Sequence, residues 1–377
     1  MSRFTADAAL APLKDFQRAT AEHVFSRLYT DPDPVRRFLI ADEVGLGKTL
    51  VARGVIAKTI EHLQDQPQVN IVYVCSNALI ARQNLQRLRV GQQEHFELAE
   101  RITMLPATVH KLSANEINLI SFTPGTSFEL KRGTGKAQER ALLRLVLAEA
   151  WGHDWVGRRG SKRIFQGGVR TLDRFRQVYD ATARAHGKTL DTELVARFAD
   201  VLDAQEDLAA AAGEPGPWER FEELCRIYGY DRPKTGWTRR ENQRKNRFIG
   251  ELRDWLARAC LEALRPDLII LDEFQRFKHL LTPPDSPEAT AAAELAHELF
   301  DHTHHTSGSK AKVLLLSATP YKMHTNQADD EDHHQDLVET VRFLLENDQA
   351  GVEGLRRDLR SLRRGLMQIG RDGGAAA

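Results

Sequence analysis

The chain has 377 residues, of which 41% are hydrophobic and 28% are charged, a composition that excludes wholesale disorder and allows two domains or one domain with a large insertion. Lysine plus arginine equals aspartate plus glutamate at 53 each, so a nucleic-acid partner would have to bind a local basic surface. The three cysteines form no C-x-x-C pair, which argues against a zinc module or disulfide framework and favours a reducing compartment. No signal peptide or membrane-spanning run is evident, so we expect a cytoplasmic protein without a membrane partner.

The first predicted element is an amphipathic helix within residues 10–30. Its apolar side chains include Leu13, Phe16 and Val24, and the string DPDP ends it. The string LKDFQ within this helix contains Gln17. Taken alone, a glutamine after an aromatic residue is an ordinary polar surface residue.

A buried strand, a glycine-containing loop and a helix are predicted over residues 38–60. Gly45 and Gly47 allow the loop backbone to approach a ligand closely, so that successive N–H groups can surround phosphate oxygens. Lys48 would reach the β- and γ-phosphates of a nucleotide, and the hydroxyl of Thr49 would bind Mg²⁺.

The string DEVGLGKT resembles the nucleotide loop of Swi/Snf-type ATPases in helicase superfamily 2, where an acidic pair precedes GLGKT. Asp42 then stands where the strict phosphate-loop pattern has its first glycine. LKDFQ is similar to the L-x-x-[FY]-Q element that precedes the loop in this superfamily, which implies that Gln17 contacts adenine. The resemblance implies that the nucleotide is bound, besides Gln17, by Gly45, Leu46, Gly47, Lys48 and Thr49.

Two further strands are predicted, each followed by residues that resemble nucleic-acid contacts. One strand precedes Ser76, Asn77 and a helix with Arg82, and is similar to the motif that touches the nucleic-acid backbone in these motors. The other precedes Thr123 and Gly125 in a T-P-G string, which resembles the second such motif of DEAD-box proteins. These residues would contact phosphates, although a solvated loop and a plain turn are the alternatives.

From residue 131 to 264 the strand signals give way to helical periodicity with many charges, which predicts an all-helical insertion. Two parts are basic, one at 158–176 and the other at 232–247, where Trp237 lies among the basic residues. Basic residues beside an aromatic ring can bind a phosphate backbone and stack on a base. A solvated charged surface is the alternative.

An aliphatic run at 268–271 predicts a central parallel strand that delivers Asp272 and Glu273 to the ligand-binding edge of a sheet. Such a run ending in Asp-Glu resembles the second nucleotide motif of superfamily 2 motors. The resemblance implies that Asp272 binds Mg²⁺ and that Glu273 orients or deprotonates the attacking water, with Lys48 as the third catalytic residue. Gln275 replaces the more usual His or Asp that links this motif to the next.

The string KVLLLSATP predicts another buried strand. Its S-A-T-P ending resembles the third motif of superfamily 2, whose hydroxyls couple ATP hydrolysis to movement, so Ser317 and Thr319 join Gln275 as coupling residues. Helices are expected at 338–345 and 355–367, and the ending GRDGGAAA is expected to be a disordered tail.

These elements combine into an expected α/β fold, a RecA-like P-loop domain with a central, mostly parallel sheet and a large all-helical insertion. The expected N-terminal helix and first part of the ATPase lobe span 1–130, and the insertion spans 131–264. The second part of the lobe spans 265–346, and a C-terminal helix and tail span 347–377.

The resemblance implies a superfamily 2 helicase or translocase lobe, closest in its motifs to Swi/Snf-type and DEAD/DEAH-box helicases of bacterial type. Its cofactors would be ATP and Mg²⁺, and hydrolysis would drive movement on nucleic acid, with DNA favoured over RNA. Only motifs of a first lobe are recognised, so we expect a second RecA-like lobe, in cis or in trans. Arginines from such a lobe are worth about 10³ to 10⁵ in rate, so this chain alone should hydrolyse ATP slowly. The alternative function is a nucleotide-dependent scaffold that binds a partner without turnover.

Overall fold

The computed structural model of the chain describes residues 4–43, 45–91, 95–98, 101–128, 130, 133–230, 236–304, 308–317 and 329–372. These residues form an α/β fold around one six-stranded sheet, in which all paired strands are parallel. Helices cover both faces of the sheet. The expected α/β class with a parallel central sheet is confirmed.

Apolar runs form most strands of this sheet. The strands are β1 Arg37–Ala41, β2 Val69–Cys75, β3 His95–Leu98, β4 Ile117–Phe122, β5 Leu268–Asp272 and β6 Lys312–Ser317. All residues of β2 and β5 are buried, because a parallel sheet covered on both faces leaves its central strands no solvent. Strand β3, at the sheet edge, is not among the elements predicted from sequence, since its four residues HFEL are too few to give a clear periodic signal.

The strand order is β1-β6-β5-β2-β4-β3. The chain first runs outward from β1 through β2 to β3 and then returns through β4 and β5 to β6. Connections on the outward path pack on one face of the sheet, and those on the return path pack on the other. Connections between parallel strands share one right-handed sense. When the chain reverses its direction across the sheet, the connecting segments must therefore move to the other face. All carboxyl ends of the strands therefore meet at one edge of the sheet.

Four N-terminal helices cover the first face. They are α1 Asp7–Leu10, α2 Asp15–Phe25, α3 Lys48–Leu63 and α4 Ala78–Leu88. A π-helical turn, Ser26–Thr30, continues α2, so the helix predicted within residues 10–30 ends as a turn before DPDP. Val55 of α3 and Leu85 of α4 pack with Ile71 and Ile270 of the sheet. Each fully buried side chain of this size stabilises the fold by roughly 1.5 to 3 kcal/mol.

Helices of the insertion cover the opposite face. Between β3 and β5 the chain forms a 3₁₀ segment, Ile102–Ala107, and then the short helices α5 Val109–Ser113 and α6 Pro124–Ser127. The helices of the insertion itself are α7 Ala137–Trp151, α8 Arg159–Gln166, α9 Leu172–His186, α10 Thr192–Ala212, α11 Pro217–Gly229 and α12 Arg239–Leu264. Within its described residues the insertion is helical, as predicted. Trp155, Phe165 and Phe248 belong to the same buried cluster as Val72 and Ile269 of the sheet. The insertion thus shares a hydrophobic core with the sheet.

The C-terminal part begins with a 3₁₀ segment, Phe274–Leu281, and continues in helices. These are α13 Ala291–Phe300, α14 Asp329–Leu344 and α15 Gln349–Asp372. Helix α14 begins before the predicted 338–345 segment. Helix α15 reaches Asp372, so the start of GRDGGAAA is helical and not a disordered tail; residues 373–377 lie outside the described residues.

An ion-pair cluster joins the start of β1 to these C-terminal helices. Arg37, whose side chain is only 2% exposed, pairs with Asp301, and its guanidinium lies 4.0 Å from the ring centroid of Phe343. Arg36 Nη2 lies 2.9 Å from Asp301 Oδ1. Burial alone would raise the pKa of Asp301, but the hydrogen bond from His297 and the two arginines hold it well below its usual range. The cluster fixes β1, and with it the loop that follows β1.

Candidate functional site

Several sequence-predicted site residues end neighbouring strands at the carboxyl edge of the sheet. Ala41 of β1 is opposite Ser317 of β6, and Asp272 of β5 is opposite Leu316 of β6. The loop after β1 and the acidic end of β5 therefore flank the end of β6. This edge is where open α/β sheets bind ligands.

The loop between β1 and α3, of which Val44 lies outside the described residues, is the predicted phosphate loop. Gly45 has φ +89° and Gly47 has φ +83°, values in the left-handed region that glycine adopts without a steric cost. Lys48 begins α3, so the N–H groups of Lys48 and Thr49 at the start of the first helical turn face the loop. Lys48 Nζ donates to the carbonyls of Asp42 at 2.9 Å and Glu43 at 2.8 Å. The ammonium group thus lies within the loop.

Gln17 connects α2 to this loop. Its Nε2 donates to the Leu46 carbonyl at 2.9 Å, and its Oε1 accepts the Lys14 N–H at 3.1 Å. The side chain is buried at 5% exposure, although sequence alone allows an ordinary surface glutamine. Thr49, in the first turn of α3, is half-buried. The structure therefore brings together Gln17 and the loop residues Gly45, Leu46, Gly47, Lys48 and Thr49.

The carboxylate of Asp272 is buried and hydrogen-bonded by two side chains that were not predicted from sequence. Tyr73 Oη donates to Asp272 Oδ2, and Asn84 Nδ2 donates to the same oxygen at 3.2 Å. Burial raises the pKa of Asp272, against the lowering effect of the Tyr73 hydrogen bond. The sequence offers no signal for this cluster, because a strand tyrosine and a helix asparagine are common in any α/β protein.

Glu273 follows directly in a left-handed conformation, φ 51° and ψ 42°. This conformation costs a residue with a side chain of the order of 1 to 3 kcal/mol and concentrates at functional sites. Its side chain is 44% exposed, and its Oε2 lies 3.1 Å from Nε of Arg276. The turn sends the two acidic side chains into different surroundings, one buried and one open to solvent.

Gln275 and Ser317 are in direct contact. Gln275 Nε2 donates to the fully buried Ser317 Oγ. The bond joins the segment after β5 to the end of β6, the two places where coupling residues are expected. Thr319, the third of these residues, lies outside the described residues.

The residues expected to contact nucleic acid lie at the carboxyl ends of the paired strands β2 and β4. Asn77 caps α4, and its Oδ1 accepts the Leu79 N–H at 2.8 Å. Ser76 Oγ is buried and, among the described residues, has no hydrogen-bond partner. Thr123 Oγ1 lies 2.7 Å from Thr126 Oγ1. Asn77 and Thr123 thus also have structural roles that need no ligand.

Arg82 and Gly125 are, with Asn77, the exposed members of this group. Arg82 lies on the outer side of α4. A Cβ added at Gly125 would meet nothing within 4 Å. Both positions are open to a ligand at the edge that also holds the loop after β1.

Much of the positive charge predicted in the insertion is paired with acids. Arg158 Nη1 lies 3.3 Å from Glu222 Oε1, and Arg247 Nε lies 3.0 Å from Glu251 Oε1. Arg244 pairs with Glu223. The ring of Trp237 packs at 4.7 Å from that of Tyr228. These contacts favour the alternative of a solvated charged surface for this part of the insertion.

A basic groove not predicted from sequence lies beside the first turns of α3. It is an open groove of about 800 Å³ between α3 and the end of α4, and none of the described residues that line it is acidic. Arg53 Nε donates to the Arg89 carbonyl at 2.7 Å across it. The groove is lined by Leu50, Arg53, Gln86, Arg87, Arg89, Val90 and Gly91.

The described residues show neither a metal-ion cluster nor a helix that could cross a membrane. Across the described ranges, no group of three or more His, Cys, Asp or Glu side chains is arranged to hold a metal ion. Each helix in the part of the chain that the structure describes is too short or too polar to cross a membrane. No protein-family model matches the chain, and no curated protein is significantly similar to it in sequence.

Proposed function

We propose that the chain is the ATP-binding and ATP-hydrolysing lobe of a superfamily 2-type helicase or translocase, acting in the cytoplasm. One observation carries this proposal. The loop with Lys48, the buried Ser317 and the acidic pair Asp272 and Glu273 end strands β1, β6 and β5, which are neighbours in the sheet. A phosphate cradle and an acidic strand end at one edge are what Mg·ATP hydrolysis requires.

In this proposal the N–H groups of the loop and of the first turn of α3 hold the phosphates. Lys48 exchanges its bonds to the Asp42 and Glu43 carbonyls for the β- and γ-phosphates. Gln17 holds the loop through the Leu46 carbonyl and contacts adenine. Three exposed apolar side chains lie at or next to these residues and would shield the base from water. They are Phe16 at 47%, Leu46 at 40% and Leu50 at 37% exposure.

The donor set fits a magnesium ion that accompanies ATP. Thr49 offers a hydroxyl and Asp272 a carboxylate, and Mg²⁺ prefers such hard oxygen ligands together with water and phosphate. When bound, the ion would neutralise the charge that develops on the phosphates. Glu273, exposed beyond the strand end, would accept a proton from the attacking water or orient it. For this role Glu273 must leave its contact with Arg276.

The nucleic-acid surface in this proposal combines the ends of β2 and β4 with the basic groove. Ser76, Asn77, Arg82, Thr123 and Gly125 would meet the backbone at the edge of the sheet. The arginines of the groove add a local positive surface that the balanced net charge does not reveal. A second RecA-like lobe, in cis or in trans, would complete the ATP site.

The test is steady-state ATP hydrolysis by the chain with and without duplex DNA, next to Glu273→Gln and Lys48→Ala. We expect slow hydrolysis that DNA stimulates. Glu273→Gln should lower turnover by about 10² or more, the usual size of a general-base contribution, while retaining ATP binding. Lys48→Ala should lose ATP binding. Glu288→Gln, which changes an exposed glutamate in a later loop, is the control and should hydrolyse ATP at the wild-type rate.

A nucleotide-dependent scaffold is the second candidate. The contact of Glu273 with Arg276 at 3.1 Å favours it, because in this contact the carboxylate is held by a neighbouring side chain and not by an attacking water. ATP binding without turnover, with or without DNA, would support the scaffold and reject the motor. A chain that binds no ATP would contradict both candidates.

A further inference from the structure

A buried polar cluster lies beneath the end of β5, on the face of the sheet that α4 covers. Tyr73 of β2 is fully buried, and Asn84 of α4 and Asp272 are each 9% exposed. Asn84 Nδ2 donates to Tyr73 Oη at 2.8 Å and to Asp272 Oδ2 at 3.2 Å. Tyr73 Oη in turn donates to Asp272 Oδ2. Both side chains thus donate to one oxygen of the Asp272 carboxylate, and Asn84 also donates to the tyrosine hydroxyl.

Strand register explains how the three residues meet. Cys75 of β2 is opposite Asp272, and Tyr73 is opposite Ile270. Because side chains alternate along a strand, Tyr73 and Asp272 lie on the same face of the sheet. That face is otherwise apolar, with Cys75, Ile270 and Leu85 among its buried residues.

The core itself does not need polar groups at these positions. A phenylalanine in place of Tyr73 and a leucine in place of Asn84 would fill similar volumes without burying a hydroxyl or an amide. Burying such groups costs free energy unless they are hydrogen-bonded. The described hydrogen bonds of both groups converge on Asp272, directly or through each other. Their contribution is therefore to the carboxylate and not to packing.

We propose that Tyr73 and Asn84 are positioning residues that orient the Asp272 carboxylate for the magnesium ion of Mg·ATP. This inference rests on the proposed function of the chain. By holding Oδ2, the two side chains fix the rotation of the carboxylate that would bind the ion. Residues that orient a metal ligand in this way typically change metal affinity by 10- to 100-fold when they are replaced.

The test compares Tyr73→Phe and Asn84→Leu with wild type in binding of a fluorescent ATP analogue. Binding is measured in EDTA and during titration with Mg²⁺. In each variant, about 10- to 100-fold more Mg²⁺ should be needed to reach half of the maximal increase in affinity for the ATP analogue. The affinity for the analogue in EDTA should change by less than about twofold. A purely structural role would instead lower thermal stability and leave the Mg²⁺ requirement unchanged.

Matched controls remove a buried hydroxyl and a buried amide elsewhere. Tyr228→Phe deletes the fully buried tyrosine hydroxyl that lies 3.4 Å from Asn242 in the insertion. Asn118→Leu deletes the buried amide that donates to Asn70 at 2.8 Å. Both controls should keep the wild-type Mg²⁺ requirement even where the melting temperature falls.

Two outcomes would overturn the inference. Wild-type Mg²⁺ dependence in both Tyr73→Phe and Asn84→Leu would reject the positioning role and leave the proposed function intact. An equal loss in the control variants would also reject it, because the effect would then follow from general destabilisation. If the wild-type chain binds no ATP in either condition, the proposed function and the inference both fail.

Discussion

At the scale of single residues, the two glycines of the loop after β1 share a backbone conformation but differ in surroundings. A Cβ at Gly45 would meet nothing within 4 Å, whereas a Cβ at Gly47 would overlap the Gln17 amide. Both glycines have positive φ, so an alanine at either position pays a backbone cost of about 1 to 2 kcal/mol. Comparing an alanine substitution at Gly45 with one at Gly47 therefore separates the cost of backbone strain from the effect of contact with Gln17.

Gly47→Ala is expected to weaken ATP binding far more than Gly45→Ala does. The added methyl group displaces Gln17 from the Leu46 carbonyl, and the loop loses its connection to α2. Thermal unfolding should show a similar backbone cost in both variants, and titration with a fluorescent ATP analogue should show binding at least about tenfold weaker for Gly47→Ala than for Gly45→Ala. Equal affinities in the two variants would show that Gln17 does not support the loop.

At the scale of elements, buried charges join segments that are distant in sequence. Glu139 of α7 is fully buried and accepts Nε–H of Arg253 of α12 at 2.6 Å. Arg253 also donates to the carbonyls of Leu130 at 2.6 Å and Gly133 at 2.9 Å. One guanidinium thus connects α12, α7 and the segment that leads from β4 into the insertion.

Replacing Arg253 by Met should destabilise the chain by up to about 3 to 5 kcal/mol, because the buried Glu139 would keep only the more distant Arg101, at 3.5 Å, as an ion-pair partner among the described residues. Chemical denaturation followed by circular dichroism measures the loss. Arg244→Met is the matched control, since Arg244 pairs with Glu223 at the surface. An exposed pair of this kind contributes about 1 kcal/mol or less. Similar losses in the two variants would contradict the role of the buried pair.

A second buried carboxyl predicts how stability depends on pH. Asp267, before β5, accepts the Asn70 N–H at 2.8 Å, and burial raises its pKa from 3.8 to about 6. Between these values the folded chain binds more protons than the unfolded chain. The contribution of Asp267 to the free energy of unfolding should therefore fall as the pH rises from about 4 to about 6, by roughly 1 kcal/mol per pH unit at most, and then level off.

Asp267→Asn removes this contribution while keeping an oxygen for the Asn70 N–H. The stability of Asp267→Asn relative to wild type should therefore rise between about pH 4 and pH 6 and stay constant above. Denaturant titrations at several pH values give the difference, with Asp285→Asn as the control for loss of an exposed carboxyl group. A difference in stability between Asp267→Asn and wild type that does not change with pH would contradict this prediction.

Element prediction from sequence succeeds where a strand is a buried apolar run, as in β2 and β5, and where a helix has a clear periodicity, as in α12. It misses β3, whose four residues gain their strand conformation only by pairing with β4. Spacing and motifs also lead to Lys48, Asp272 and the Gln275–Ser317 pair. Tyr73 and Asn84 could not be found in this way, because their meeting depends on strand register and helix placement across the sheet.

At the scale of the whole molecule, the insertion and the sheet share one hydrophobic cluster. Trp151, Trp155, Trp218, Trp237 and Trp255 are all of the chain's tryptophans, and all lie in the insertion. Tryptophan fluorescence therefore reports the insertion alone, whereas far-ultraviolet circular dichroism reports all helices and strands. A shared core predicts that the two signals change together during unfolding.

Ile269→Ala, in β5, should lower both unfolding midpoints equally, with a loss of about 2 to 5 kcal/mol for a fully buried isoleucine. The fluorescence signal would respond even though no tryptophan lies in the sheet. Denaturant titration of wild type and variant with both probes is the measurement. If the two probes instead show separate transitions, and Ile269→Ala leaves the fluorescence midpoint unchanged, the insertion unfolds independently of the sheet.

The position of β1 in the sheet has a consequence for biosynthesis. Among the described residues its only neighbouring strand is β6, which the ribosome produces after the entire insertion has been made. Until then β1 and the loop with Lys48 have no strand beside them, and contacts so distant in sequence form slowly. The exposed edge of a nascent chain is open to wrong pairing and aggregation. Yield in cells should therefore depend on translation rate and on chaperones that bind the unfinished N-terminal half.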